Sequence, residues 1–291
     1  MSEQAYFGSL SSALNLRREL SHRNQLFARK RNLAHRNSYG ELPIPCYVPS
    51  EDDSEHGNFL PETYRAILQN PDWRRRLNKV HAQARTALPR EDRRWRELDS
   101  CTSSDALLMN VFCFPGSLAE AGLLNLLGVE GDPPLQFGFK ARVPLANGKF
   151  DRTEVDLRIG DLLIEAKLTE TDFQSRQKAI LDSYRHFAEV FDRRSLPVRG
   201  DRYLGYQLIR NVLGAYANQC SFCVMADARR PDLREGWYAV MRCVKSAGLR
   251  VRCKMITWQE LSEALPPRLQ EFLREKYGIG DDSLLGAPNF D

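Results

Sequence analysis

The sequence predicts an α/β fold in which a central mixed sheet is flanked by helices and preceded by a helical extension, and three observations predict it. From about Thr102 onward, short strand-type segments alternate with helical ones. Two of these strands, residues 153–159 and 162–168, are joined by a Gly160-Asp161 turn. Residues 1–101 instead carry arginine-rich helical patterns broken by a proline-rich loop. Two regions result: an Arg-rich helical region over 1–101, and an α/β core with a C-terminal helix over 102–291.

Arg17 to Arg36 sets Lys, Arg and His around Leu20, Leu26, Phe27 and Leu33, which predicts a basic amphipathic helix. Pro43, Pro45, Pro49 and the acidic run Glu51-Asp52-Asp53-Ser54-Glu55 then predict an extended loop. Helices follow over about 61–68 and 72–88, the second carrying Arg74-Arg75-Arg76. In the core, Ser103 and Ser104 are N-cap candidates for a helix through Phe112; Pro115-Gly116 ends it, and Ser117 caps a second helix to about Leu127. Residues 136–145 have strand composition and run into the Ala146-Asn147-Gly148 turn. Beyond the two hairpin strands come helices at about 172–192 and 204–216, a strand at 221–228 and a helix at 233–247. A strand at 249–257 and a helix at about 259–277 close the chain.

With 42% hydrophobic and 27% charged residues in a chain of 291, the composition is that of a folded protein and excludes an intrinsically disordered one. No stretch approaches the roughly 18 apolar residues of a membrane span, and MSEQAYFGSL lacks a secretory pattern, so a soluble, cytoplasmic protein is expected, with no membrane partner. The net charge of +4 is mild but unevenly spread: the first hundred residues carry +4, the next hundred −2. Of 42 basic residues 33 are Arg, whose planar fork suits phosphate, so the N-terminal region is expected to bind phosphates independently of sequence. Arg93-Arg94 belong to the same basic region. Seven Cys is an odd number, which argues against a disulfide framework. Cys220-x-x-Cys223 sits in a strand-type run, where residues three apart point to opposite faces, and this disfavours zinc. The histidines show no ligand spacing.

The chemistry concentrates on the hairpin. Asp156 lies between Val155 and Leu157, and Glu165-Ala166-Lys167 follows on the next strand. Period-two geometry puts Glu165 and Lys167 on one face, and the Gly160-Asp161 turn brings that face beside Asp156. Two carboxylates are a donor set for a hard divalent cation, Mg²⁺ with Mn²⁺ as a substitute, which takes one or two carboxylates plus water and phosphate oxygens. With Lys167 to orient water or stabilise charge, the constellation predicts phosphodiester hydrolysis.

Asp156 followed by Glu165-x-Lys167 across two short strands, after a helix and a first strand, resembles the PD-(D/E)xK nuclease superfamily over about residues 102–260. The resemblance implies a restriction-endonuclease-like core and a metal-dependent nuclease acting on nucleic acid, DNA above all, in a bacterial protein, and it allows for a homodimer. In the RecB-like branch a Gln on a following helix joins the site, which puts Gln207 of Tyr206-Gln207-Leu208-Ile209-Arg210 beside Asp156, Glu165 and Lys167 as a catalytic candidate. Ser103-Ser104-Asp105-Ala106-Leu107 is similar to the helix that precedes the core in bacterial restriction-endonuclease-like proteins. The Pro that usually precedes the Asp is absent; Glu154-Val155 stand there. The superfamily often adds a first-helix Glu to the metal site. Glu120 is the candidate, because it falls between Leu124 and Leu127 on an apolar helix, with Glu130 and Asp105 as alternatives. The alternative function is a catalytically inactive domain of this fold that binds nucleic acid or a protein.

Overall fold

The computed structural model describes residues 3–38, 42–80 and 96–280. It divides into two compact units, residues 1–14 with 129–257 and residues 15–128 with 258–291. Residues 102–128 and the closing helices therefore cluster with the helical region, and the α/β unit is centred on 129–257.

Helix α1 (Glu3–Lys30) ends earlier than the predicted Arg36. Asn32 takes a left-handed conformation (φ 50°), Leu33 N–H bonds the Ala28 carbonyl at 2.9 Å, and the chain then enters strand β1 (His35–Asn37), antiparallel to β2 (Pro45–Tyr47). Helix α2 (Pro61–Gln69) falls where the sequence predicts it. Helix α3 (Pro71–Arg76) starts under the Asn70 side chain, which accepts from the Asp72 and Trp73 amides, and it is shorter than predicted. Residues 81–95, with Arg93 and Arg94, lie outside the described residues. Ser103 caps α4 (Ser104–Phe112), its Oγ accepting from Ala106 N–H at 3.1 Å. The following helix, α5 (Ala121–Leu127), begins after a single 3₁₀ turn at Ser117–Ala119 and not at Ser117.

In the α/β unit the predicted strand 136–145 is split. β3 (Leu135–Lys140) is followed by Arg142 at φ 51°, and β4 (Val143–Pro144) pairs separately with β5 (Phe150–Asp151). The hairpin β6 (Glu154–Ile159) and β7 (Leu162–Ala166) turns at Gly160, whose φ of 56° suits glycine. The expected helix over 172–192 is not formed as one element. Gln174 at φ 59° redirects the chain into β8 (Ser175–Gln177), followed by two short helices, α6 (Lys178–Asp182) and α7 (Phe187–Val190). β9 (Val198–Arg199) and β10 (Arg202–Leu204) complete a three-stranded sheet in the order β8-β10-β9. The strand that β8 pairs with is distant in sequence, and this pairing overrides the local helical pattern. Then come α8 (Tyr206–Asn218), β11 (Ser221–Ala226), α9 (Pro231–Met241), the short α10 (Ala247–Arg250) and β12 (Cys253–Thr257). The helical unit closes with α11 (Trp258–Glu263) and α12 (Pro267–Tyr277), separated where Pro266-Pro267 breaks the predicted single helix.

The central sheet runs β12-β11-β7-β6-β3, parallel across β12, β11 and β7 and antiparallel across β7, β6 and β3, so it is mixed as predicted. Every residue of β7 is buried, as expected for a strand covered on both faces. Helix α8 lies against it at Gly214, where a Cβ would come within 3.2 Å of Ala141 and 3.9 Å of Leu163. Six of the seven cysteines are buried, and burial pushes the Cys223 thiol up to about 12. No helix among the described residues is long and apolar enough to cross a membrane.

The arginine cluster of α3 faces carboxylates. Arg74 lies 3.9 Å from Asp53, Arg75 bonds Asp72, and Arg76 turns inward to the buried Asp105 at 2.9 Å, where Lys79 Nζ also donates at 2.6 Å. Burial would raise the Asp105 carboxyl, but Lys79 and Arg76 outweigh it and hold the group below its usual range. The stability it contributes is therefore present above the unfolded Asp value of about 3.9 and is lost as pH falls below it. Asp105→Asn removes the buried carboxylate that Arg76 and Lys79 share and is expected to lower stability by about 3–5 kcal/mol at neutral pH, measured from urea midpoints. The gap to wild type should narrow as pH is taken below about 3.9.

Candidate active site

Asp156, Glu165, Lys167 and Gln207 come together in the α/β unit. β6 and β7 pair through Leu157↔Ile164, and beyond that point the strands part. The Asp156 carboxylate fills the gap, its Oδ2 accepting from Ala166 N–H at 2.8 Å. On β7 and just past it, Leu163, Glu165 and Lys167 share the face that α8 covers. Lys167 N–H meanwhile donates to the Met225 carbonyl of β11 at 2.7 Å, which keeps the chain extended past the end of β7.

Glu165 is only 2% exposed and Lys167 4%. The Lys167 ammonium donates to Glu165 Oε1 at 2.6 Å and Gln207 Nε2 donates to the same oxygen at 2.9 Å. Asn211 Nδ2 donates to Oε2 at 2.7 Å, with the Arg210 guanidinium 3.9 Å from that oxygen. Arg210 is itself fixed on the Asn211 Oδ1 (2.8 and 3.0 Å) and on the Glu154 carbonyl (3.0 Å). Burial alone would push the Glu165 carboxyl up; Lys167 and then Arg210 outweigh it and hold the carboxyl below its ordinary range. For Lys167, burial disfavours the ammonium, but Glu165, then Glu170 and Asp156, hold it above its ordinary value. Both groups are charged at neutral pH.

Two features bear on a metal. Asp156 and Glu165 are hard oxygen donors side by side, and Gln207 Oε1 is buried without a hydrogen-bond partner among the described residues. Because Nε2 must face the Glu165 carboxylate, the amide oxygen points away from it and offers an acceptor lone pair with no donor. Carboxylate and amide oxygens are the donor types that a hard cation such as Mg²⁺ takes. No group of three His, Cys, Asp or Glu that could hold a metal occurs among the described residues, so a cation here would rely on two carboxylates, amide oxygen and water.

Glu120 does not have the burial that singled it out. It is the exposed N-cap residue of α5, one position before the helix starts, so it carries no burial cost and the inference from an apolar helix face does not hold. Glu130 is exposed as well, and Asp105 is engaged by Arg76 and Lys79. Sequence reasoning missed Arg210 and Asn211. Their spacing three and four residues after Gln207 was the available signal, since it sets all three on one face of α8. Glu170, whose Oε2 accepts from Leu168 N–H at 2.6 Å, was also missed.

Over residues 21–278 the chain matches the family described as Restriction Endonuclease associating with ARP. It belongs to that family. No curated protein and no solved structure matches the chain. The REase-ARP match takes in the whole α/β unit from Val129 on as well as most of the helical one, and it agrees with the restriction-endonuclease-like fold of the mixed sheet.

The hydrogen bonds on Glu165 define a stability test independent of any substrate. Glu165→Ala strands the buried Lys167 ammonium and is expected to cost about 3–5 kcal/mol. Asn211→Ala removes one donor from a buried charged acceptor and should cost about 1–3 kcal/mol. Urea midpoints at constant m-value check both, and equal midpoints for wild type and Glu165→Ala would contradict the burial described.

Proposed function

We propose that this chain is a metal-dependent nuclease that hydrolyses phosphodiester bonds of nucleic acid, DNA in the first place. The single observation that carries the proposal is the juxtaposition of Asp156 with Glu165-x-Lys167 on neighbouring strands, closed by Gln207, in a member of a restriction-endonuclease family. Asp156, Glu165 and the Gln207 amide oxygen would hold Mg²⁺ or Mn²⁺. When bound, the cation neutralises charge on a phosphoryl oxygen and lowers the pKa of its water.

The residues of the chain supply the rest. Lys167, kept protonated by the carboxylates around it, stabilises the charge that grows on the phosphoryl oxygens. Asn211 and Arg210 hold the Glu165 carboxylate in one orientation through Oε2, so that no reorganisation of that group is needed during reaction. Burial of the pair keeps the local dielectric low, which strengthens each of these interactions. The association with ARP named in the family's description extends to this chain in the same proposal, as a partner beside which the nuclease acts.

The test is purified protein against supercoiled, linear and single-stranded DNA and against RNA, with Mg²⁺, Mn²⁺ or EDTA. Cleavage is expected only with metal. Asp156→Asn, Glu165→Gln and Lys167→Ala should each reduce the rate on the order of 10²–10³-fold, the size of effect seen when a central electrostatic stabiliser is removed. Full activity in EDTA, or wild-type rates in Lys167→Ala, would overturn the proposal. Binding of nucleic acid without cleavage under any metal would favour the inactive binding domain.

A further inference from the structure

Two cations next to the site have no counter-ion among the described residues. Arg176, at the centre of β8, is exposed, and its guanidinium carbon lies 5.2 Å from the centre of the Tyr206 ring. Lys178 follows two positions later, its Nζ 5.9 Å from the Tyr203 ring. Neither has a described carboxylate within ion-pair distance. The acids of this region are engaged elsewhere: Asp182 with Arg193 at 3.1 Å, and Asp151 with Thr153, Tyr184 and Tyr206. A third acid, the exposed Asp201, supplies its backbone carbonyl to Lys178 N–H at 2.8 Å.

Register places the two cations on one side of the small sheet. Arg176 is directly opposite Tyr203 across β8 and β10, so the two share a face, and Lys178 lies over that same tyrosine. Tyr206, beneath Arg176, is the first residue of α8. The guanidinium carbon of Arg210 lies 5.8 Å from the centre of the same Tyr206 ring, and Arg210 then reaches Glu165 at 3.9 Å. Positive charge therefore continues from the half-buried Lys178 and the exposed Arg176, through a tyrosine ring and a buried arginine, to the carboxylate of the candidate site. Rings that hold a cation by its π-face fix its position without neutralising it.

We propose that Arg176 and Lys178 form a phosphate-binding row that receives the backbone of a nucleic-acid strand next to the bond to be cut. The proposal rests on the nuclease reading above and adds to it the surface that orients the strand. Its occupant is a polyanion backbone, because two unneutralised cations set side by side and held over rings recognise repeated phosphates and carry no base-edge readout. Arg199 provides an internal comparison: it is opposite Arg202, one position along from Tyr203, and so belongs to the other face of the same sheet.

The experiment measures binding of a fluorescein-labelled DNA duplex and its single strand in EDTA, across a salt series, for four proteins: wild type, Arg176→Ala with Lys178→Ala, the charge-keeping pair Arg176→Lys with Lys178→Arg, and Arg199→Ala. The alanine pair should bind more weakly, and the slope of log affinity against log salt should become shallower by about 1.8 on duplex, at roughly 0.9 for each phosphate that is no longer neutralised. The charge-keeping pair and Arg199→Ala should retain the wild-type slope. An unchanged slope in the alanine pair, an equal loss in Arg199→Ala or in the charge-keeping pair, or no binding of either probe by wild type overturns the proposal. Cleavage in Mg²⁺ separates this from the parent reading. A wild type that binds through this row yet cuts nothing removes the nuclease and leaves the surface, whereas cleavage by wild type and alanine pair alike, with equal binding, removes the surface and leaves the nuclease.

Discussion

A carboxylate and an ammonium two residues apart on a strand buried on both faces set the terms for the whole α/β unit. Taking either charge out of water costs several kcal/mol unless it is paired and its remaining hydrogen-bonding capacity is met. Lys167 meets one oxygen of Glu165, but a carboxylate accepts more than one bond at each oxygen. The remainder has to come from a facing element, and α8 supplies it with Gln207 and Asn211 one turn apart. To deliver them the helix must lie close to the sheet, and at Gly214, two turns on from Gln207, a Cβ would press against Ala141 at 3.2 Å.

The segment that follows the strand is constrained in the same way. Once Lys167 has bonded to β11, the chain leaves the sheet and leaves carbonyls at Leu168 and Thr171 to be satisfied from elsewhere. The fully buried Arg230 donates to both, at 3.0 and 3.1 Å, and is neutralised by Asp232 at 2.7 Å. The start of α9 is thus tied to the loop that follows the Glu-x-Lys strand. Phe173 and Gln174 in turn accept from the first amides of α8, so that the helix carrying Gln207 is fixed at its beginning as well as along its face.

Buried charge in the helical unit obeys the same rule with different partners. Asp105 is matched by two cations, whereas Lys276 has no carboxylate partner among the described residues and is accommodated by the Gly57 carbonyl at 3.0 Å and the Tyr47 ring at 3.8 Å. Burial accordingly pushes the Lys276 ammonium well down from its ordinary value. The contrast with Lys167 shows what a neighbouring carboxylate does: two buried lysines move in opposite directions, one held charged by Glu165 and the other driven toward neutrality.

The alternation of residues along β6 and β7, the Gly160 turn and the Ser103 cap were legible in the sequence because each depends on neighbours within a few residues. The same local rules put Glu165 and Lys167 on one face and Asp156 beside them. Gln207 came from resemblance, and the structure joins it to Glu165. Glu120, Arg76 and the segment 172–192 were not legible, since their outcome turns on where a helix starts, which distant carboxylate an arginine meets and which strand a segment pairs with. Arg210 and Asn211 carried a spacing signal but no sign of the group they serve. Residue order alone settles the hairpin's local geometry and the chemical types on its face, because φ/ψ preference and period are short-range. Which side chains complete the Glu165 site is settled only in the folded chain, because a buried charge is satisfied by whatever the packing of distant segments brings within hydrogen-bond reach.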